Sequence, residues 1–181
     1  MSKIEIQAFH TTLHKPVQRE VFRHRHLFSR SMRTSFQGSP HREAADLLIR
    51  VPTGYPDRPI AELYNELNCE WTDESAEMPL LCTLVDDIQS FLGAKKLGRV
   101  MLAALGPRKH IYPHPDEGMV PHYYERYHYV ISTGKDCIFI VQNEALTLEA
   151  GMLFRADVRS PHAVANLGTQ ERINLIMDVR R

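Results

Sequence analysis

The sequence predicts a mainly β protein whose α elements gather in its N-terminal half. Three observations carry this. After residue 97 the chain breaks into about eight short apolar runs separated by turn residues. Before it, the clearest stripe of helical period falls at 79–92. The 181 residues, 43% of them hydrophobic, suffice for one domain with a sizeable core. So many short strands in so little chain predict a double-stranded β-helix, the jelly-roll or cupin-like arrangement, which manages its sheet edges by folding over itself. Supporting helices then cover one outer face. The expected organisation is a single domain, 1–181, with residues 1–96 as helical and strand support and 97–181 as the jelly-roll core.

The elements follow in order. KIEIQAF alternates Ile4, Ile6 and Ala8, as a strand does. Residues 16–27 suit a helix, with Pro16 in its first turn and Val17, Val21 and Leu27 apolar. ADLLIRV (45–51) reads as a buried strand stopped by Pro52. A helix starting near Pro59 carries Ile60, Leu63, Tyr64 and Leu67. In 79–92, Leu80, Leu81, Leu84, Val85, Ile88, Phe91 and Leu92 form an i, i+3/i+4 stripe, with Pro79 at its start and Gly93 past its end. Then come GRVMLAAL, RKHIYPH, RYHYVIS, DCIFIV, ALTL, MLFRA, HAVAN and RINLIMDV, with turns at Gly106-Pro107, Thr133-Gly134, Gln142-Asn143, Gly151 and Gly168.

Composition excludes some classes. Lys plus Arg equals Asp plus Glu at 22 each, so no global field draws the protein to nucleic acid or to a membrane surface. The basic stretch Lys15–Arg42 holds seven Lys/Arg against the single acid Glu20, which suits a solvated basic face or an acidic partner. Cys69, Cys82 and Cys137 show neither zinc nor disulfide spacing. No apolar run reaches membrane-spanning length and MSKIEIQAFH lacks a secretory h-region, so a cytoplasmic location is expected.

The chemistry concentrates in IYPHPDEG (111–118) and SPHAVANLG (160–168). His114 and Asp116 close the second strand of the β-rich half, and His162 opens the seventh. Those two strands can be neighbours in a jelly roll, which would bring all three side chains together. Two neutral imidazoles and one carboxylate form the facial triad of non-haem Fe(II) oxygenases, leaving the opposite face of the metal open to co-substrate and O2. His-x-Asp by itself is more often a polar turn. Arg172, ten residues after His162 at the start of the last strand, makes the stronger case. An oxoacid co-substrate carries a distal carboxylate, and arginine offers it a planar fork. Arg126 and His128 stand two apart on the third strand and share a face.

The segment from about Arg99 to Arg181 resembles the aspartyl/asparaginyl β-hydroxylase family of Fe(II)/2-oxoglutarate oxygenases. YPHPDEG, RYHYVI, MLFRADVRSPHAVANLG and ERINLIMDVR carry the resemblance. It implies iron on His114 and His162, and 2-oxoglutarate on Arg172 with Arg126 and His128 assisting. Some eukaryotic members lack the carboxylate ligand. This chain has Asp116 at the usual carboxylate place and so resembles the full-triad type: His114, Asp116 and His162. The first 95 residues resemble the family only loosely, and substrate preference is expected there. The implied reaction is hydroxylation of an aliphatic C–H in an Asp or Asn residue of a peptide, or in a free amino acid derivative.

Other residues have more ordinary readings. His24-Arg25-His26 is no metal site, because residues two apart on a helix do not face each other. His110 and Tyr112 alternate with His114 and are expected in the cavity wall. His122, Tyr123 and Tyr124 follow the motif and are candidates for substrate contact. Asn166 either bonds within the pocket or pairs within the sheet. Glu117 lies three residues from His114, so Asp116 keeps the simpler spacing. Residues 35–52 form either a lip beside the site or a plain connection. Two other classes stay open: a cupin-like metalloenzyme that keeps the triad without needing Arg172, and a non-catalytic small-molecule-binding β-barrel that needs no metal.

Overall fold

The structure, a computed structural model, describes residues 2–181, the side chain of Ile60 excepted. In chain order the strands are β1 (Ile4–Gln7), β2 (Ala44–Pro52), β3 (Cys69–Trp71), β4 (Lys96–Leu105), β5 (Lys109–His114), β6 (Glu125–Ser132), β7 (Cys137–Val141), β8 (Glu144–Thr147), β9 (Leu153–Ala156), β10 (His162–Asn166) and β11 (Arg172–Arg180). The α-helices are α1 (His14–Arg23), α2 (Met32–Ser35), α3 (Ile60–Leu63), α4 (Pro79–Phe91) and α5 (Val120–Tyr123). Each of the eight expected C-terminal strands is present. The helix expected from Pro59 closes after one turn, and the place of Ile60 in its stripe lies outside the described side chains.

Two antiparallel sheets face each other. The larger runs β1-β9-β6-β11-β4-β2-β3 and the smaller β5-β10-β7-β8. The N-terminal strands therefore do more than support the jelly roll: β1 extends one edge of its larger sheet, and β2 and β3 extend the other. β11 lies central, and its residues alternate between two environments. Ile173, Leu175, Met177 and Val179 point outward into a buried apolar layer with Val17, Val21, Leu81, Leu84, Val85 and Ile88 of α1 and α4. Fully burying each such side chain contributes about 1.5–3 kcal/mol, before the entropy of ordering it. Glu20 fastens the two helices. From α1 its carboxylate accepts the backbone N–H groups of Leu80 and Leu81 at 3.1 and 2.8 Å, satisfying two orphan donors at the start of α4.

The inner face of the same sheet sets polar and charged residues among apolar ones such as Ile176, Met101 and Phe154. Asp46 and Arg50 come from β2, Arg99 from β4, Arg172, Asn174 and Asp178 from β11, and Arg126 and His128 from β6. Ladder registers such as Asp178 opposite Arg126 and Arg50 opposite Val100 set their neighbours.

Candidate metal centre

β5 and β10 are paired, with His114 directly opposite His162. The pairing contains an irregularity: Val164 lies opposite Ile111, so two steps along β10 match three along β5. The extra residue falls at Tyr112–Pro113, where proline has no N–H to give to the ladder. This bulge reverses the side-chain alternation. Ile111 and His114 both face the interior, and the expected place of His110 and Tyr112 in the cavity wall is corrected. The Tyr112 hydroxyl and the His110 backbone N–H instead bind Glu43, at 3.0 and 2.7 Å.

Three ligand atoms converge. Asp116 Oδ1 lies 3.5 Å from His114 Nε2 and 3.8 Å from His162 Nε2, and the two imidazole centroids are 4.4 Å apart. Metal–ligand bonds of ~2.1 Å place adjacent ligand atoms ~3 Å apart, so a small contraction suffices to grip one ion. The tautomers also fit. His114 Nδ1 is 2.7 Å from the Tyr112 carbonyl and His162 Nδ1 is 3.1 Å from the Ser160 carbonyl. A carbonyl only accepts, so each Nδ1 carries the proton and each Nε2 turns a lone pair inward. His114 Nε2 is buried without a hydrogen-bond partner. Asp116 is seated by its backbone N–H on the Val158 carbonyl at 2.8 Å, and its second oxygen contacts Arg126. Burial alone would oppose its ionisation. Arg126, in contact with its second oxygen, outweighs that and holds the carboxyl well below the usual range.

A fourth donor, His41, was missed in the sequence. Its ring packs edge-on against His114 at 4.4 Å between centroids, and a ligand atom of His41 lies within 4.8 Å of those of His114 and Asp116. Its hydrogen bond separates it from the other two. Arg33 Nη1 lies 2.8 Å from His41 Nδ1, and arginine can only donate, so the His41 proton sits on Nε2. His41 thereby presents an N–H where His114 and His162 present lone pairs.

Arg172 lies on the floor. It is 1% exposed, and its Nε and Nη1 have no hydrogen-bond partner among the described residues. Burial pushes its pKa down to about 10. A guanidinium left buried without an acceptor is costly, and a bound carboxylate would relieve it. His128 stands nearby, both ring nitrogens unpartnered, stacked on Phe154 at 5.0 Å. Burial, then Arg172 and Arg126, hold it neutral. A cavity lined by Arg33, His41, Asp116, Arg126, His128, His162 and Arg172 joins these groups. Arg126 has less freedom than the sequence suggested: Nε and Nη2 grip Asp178 at 2.8 and 2.9 Å while Nη1 meets Asp116.

A second, wider cavity opens outward from His114 and Asp116. Arg33, Phe36, Pro40 and His41 line its near side, so residues 35–52 do contribute a lip. Val120 and Pro121 of α5 line it too. His122, Tyr123 and Tyr124 do not: Tyr123 lies under the Arg180 guanidinium, and the Tyr124 hydroxyl donates to the Leu67 carbonyl. Asn166 is a clasp between strands, its amide donating to the carbonyls of Leu105, Gly106 and Gln170. Glu117 is exposed at the rim. The basic stretch is partly neutralised internally, with Arg25 on Glu171 and Arg33 on Asp46.

The profile described as aspartyl/asparaginyl beta-hydroxylase matches residues 60–181, two thirds of the chain. The chain belongs to the aspartyl/asparaginyl β-hydroxylase family. It is a 2-oxoglutarate-dependent Fe(II) oxygenase. No curated protein matches it. Solved structures share the hydroxylase's fold at low identity. A prolyl hydroxylase from Trichoplax adhaerens, in complex with a hypoxia inducible factor oxygen degradation domain peptide, superposes with TM-score 0.66 at 12% identity, over 98% of this chain and 83% of its own. A 2OG-Fe(II) oxygenase family oxidoreductase from Burkholderia pseudomallei gives 0.58 at 15%, over 90% and 78%. A Pseudomonas putida prolyl-4-hydroxylase gives 0.55 at 15%, over 99% and 92%. No helix of the hydroxylase is long and apolar enough to cross a membrane.

Proposed function

We propose that His114, Asp116 and His162 hold the Fe(II), that Arg172 holds the distal carboxylate of 2-oxoglutarate, and that the enzyme hydroxylates an Asp or Asn residue of a peptide or a free amino acid derivative. One observation carries the ligand assignment. Two imidazole lone pairs and a carboxylate oxygen converge beside a buried guanidinium that lacks an acceptor. Fe(II) and 2-oxoglutarate, when bound, supply with O2 the oxidising power that turns C–H into C–OH, releasing succinate and CO2.

The chain's own residues do the rest. The carbonyls of Tyr112 and Ser160 fix the imidazole tautomers. Arg126, itself anchored by Asp178, turns Asp116 so that one oxygen faces the two imidazoles, which makes it a positioning residue. His128 lines the same pocket as a neutral ring able to donate one hydrogen bond to the co-substrate. The lip from Arg33 to His41 walls one side of the cavity and limits the entry of water. The substrate reading rests on the family, and the wide mouth can take a peptide side chain.

Succinate release from 2-oxoglutarate under Fe(II) is the test. Arg172→Ala is expected to abolish it at ordinary co-substrate concentrations, and unchanged succinate release would show that Arg172 does not hold the co-substrate. A mass-spectrometric search for +16 products across amino acids and Asp and Asn peptides tests the substrate class. Products on proline peptides alone would overturn it.

A further inference from the structure

Counting charge on the inner face leaves two cations over. Arg33 is paired with Asp46, and Arg126 with Asp178 and Asp116. Arg172 is proposed to take the co-substrate. Arg50 and Arg99 remain, and among the described residues neither makes an ion pair. Arg99 spends Nη2 on the Leu63 carbonyl at 2.6 Å, while its Nε is buried without a partner. Arg50 also has a buried, unpartnered Nε, and its guanidinium lies 5.3 Å over the Trp71 ring. Asp178, the carboxylate acting most strongly on Arg99, is committed to Arg126 through both oxygens. The strand pairing makes the two arginines neighbours, because Arg50 lies opposite Val100, next to Arg99.

Both line a cavity whose other walls include Met32, Leu48, Leu63 and Met101. Arg33, Tyr64, Arg99 and Met101 also line the wide cavity above His114 and Asp116, so the two spaces are contiguous. The folded chain thus keeps two arginines on an apolar wall beside the reactive centre, neither of them ion-paired among the described residues. Both side chains are half-buried, each with a buried Nε that has no partner, which costs stability, and an anionic ligand arriving with an apolar body would recover it.

We infer that Arg99 and Arg50 form a substrate subsite that receives a carboxylate, with the apolar wall receiving the body that carries it. This rests on the oxygenase reading of the adjoining centre. The subsite would orient the substrate so that a carbon away from this anion meets the metal. It selects acids against their amides, because an amide leaves both guanidinium charges uncompensated.

The test is a calorimetric titration of N-acetyl amino acids and their matched primary amides into the anaerobic protein, with and without Fe(II) and 2-oxoglutarate. Fluorescence of Trp71, the single tryptophan, is followed alongside. Acids are expected to bind at least tenfold more tightly than their amides and to change the Trp71 emission. Arg99→Met and Arg50→Met are each expected to weaken acid binding tenfold or more while raising the Tm of the ligand-free protein, since an uncompensated charge leaves an apolar wall. Arg99→Lys keeps the charge and is expected to retain most of the preference. Equal binding of acids and amides, absence of acid binding, or unchanged acid binding in the methionine variants would overturn the subsite. Tighter binding of matched phosphate monoesters would overturn the choice of carboxylate. Failure to bind Fe(II) and 2-oxoglutarate would sink the oxygenase reading separately, because the acid titration without them needs no turnover.

Discussion

The two faces of β11 are made by alternate residues of one strand, yet they differ in kind. Outward, Ile173, Leu175, Met177 and Val179 meet α1 and α4 in a layer that needs nothing further. Inward, Arg172, Asn174 and Asp178 are as deeply buried, but Arg172 and Asn174 keep polar atoms without partners. One face contributes stability and the other gives some of it up. Unsatisfied buried groups are uncommon in folded proteins, and their concentration on one face marks where ligands complete the structure.

That contrast can be broken or sharpened by substitution. The largest effect is expected at the metal centre. Asp116→Ala should lower iron affinity more than about 100-fold, beyond the usual cost of losing a supporting partner, while changing the melting temperature little. Metal analysis after dialysis against Fe(II) checks this, and retained stoichiometric iron would show that the triad is misassigned. On the outer face the signs should reverse. Leu175→Ala should cost about 2–5 kcal/mol in denaturant unfolding and leave 2-oxoglutarate affinity near that of the parent protein. For Arg172→Met, 2-oxoglutarate affinity should fall roughly 100-fold while ligand-free stability holds or rises. A large stability loss there would mean that the arginine is structural and the contrast false.

Acid should separate the faces as well. His128 is held neutral in the fold, whereas an unfolded histidine titrates near about 6.5. Below that pH the unfolded chain takes up a proton that the folded chain refuses. Its share of stability is intact at neutral pH and falls by up to about 1.4 kcal/mol per unit as pH drops. His128→Phe should flatten the pH dependence of unfolding between pH 6.5 and 5 by that one share. Part of the slope should remain, because burial and Arg33 also depress His41. An unaltered slope would show that His128 is protonated in the fold. The smallest effect should come from Glu20→Ala, which strips two N–H groups at the start of α4 of their acceptor and should cost about 1 kcal/mol of stability with no change in ligand affinity.

Much of this was legible before folding. The alternation in RYHYVIS and RINLIMDV marked strands, the stripe at 79–92 marked α4, and His114, Asp116, His162 and Arg172 stood out by residue type and spacing. Less legible were features set by register. The bulge at Tyr112–Pro113 moves His110 and Tyr112 out of the cavity, and a count of alternating residues puts them in it. His41 and Arg33 reach the centre from the lip, far from the motif in sequence. The pairing of Arg126 with Asp178 needs β6 beside β11. α5 turns Tyr123 and Tyr124 away and presents Val120 and Pro121 instead.

The sequence by itself determined the strands of the C-terminal half, the residue types offered to the candidate centre and the family, because side-chain type and local period are properties of neighbouring residues. Only the tertiary structure decided which charges end up paired. Asp178 could have neutralised Arg99 and instead holds Arg126, and His41 Nδ1 accepts a hydrogen bond from Arg33 and so differs from the two imidazoles beside it. Those outcomes depend on which strands lie side by side and in what register. The attraction between charges depends on the distance and burial that folding brings, which no spacing along the chain contains.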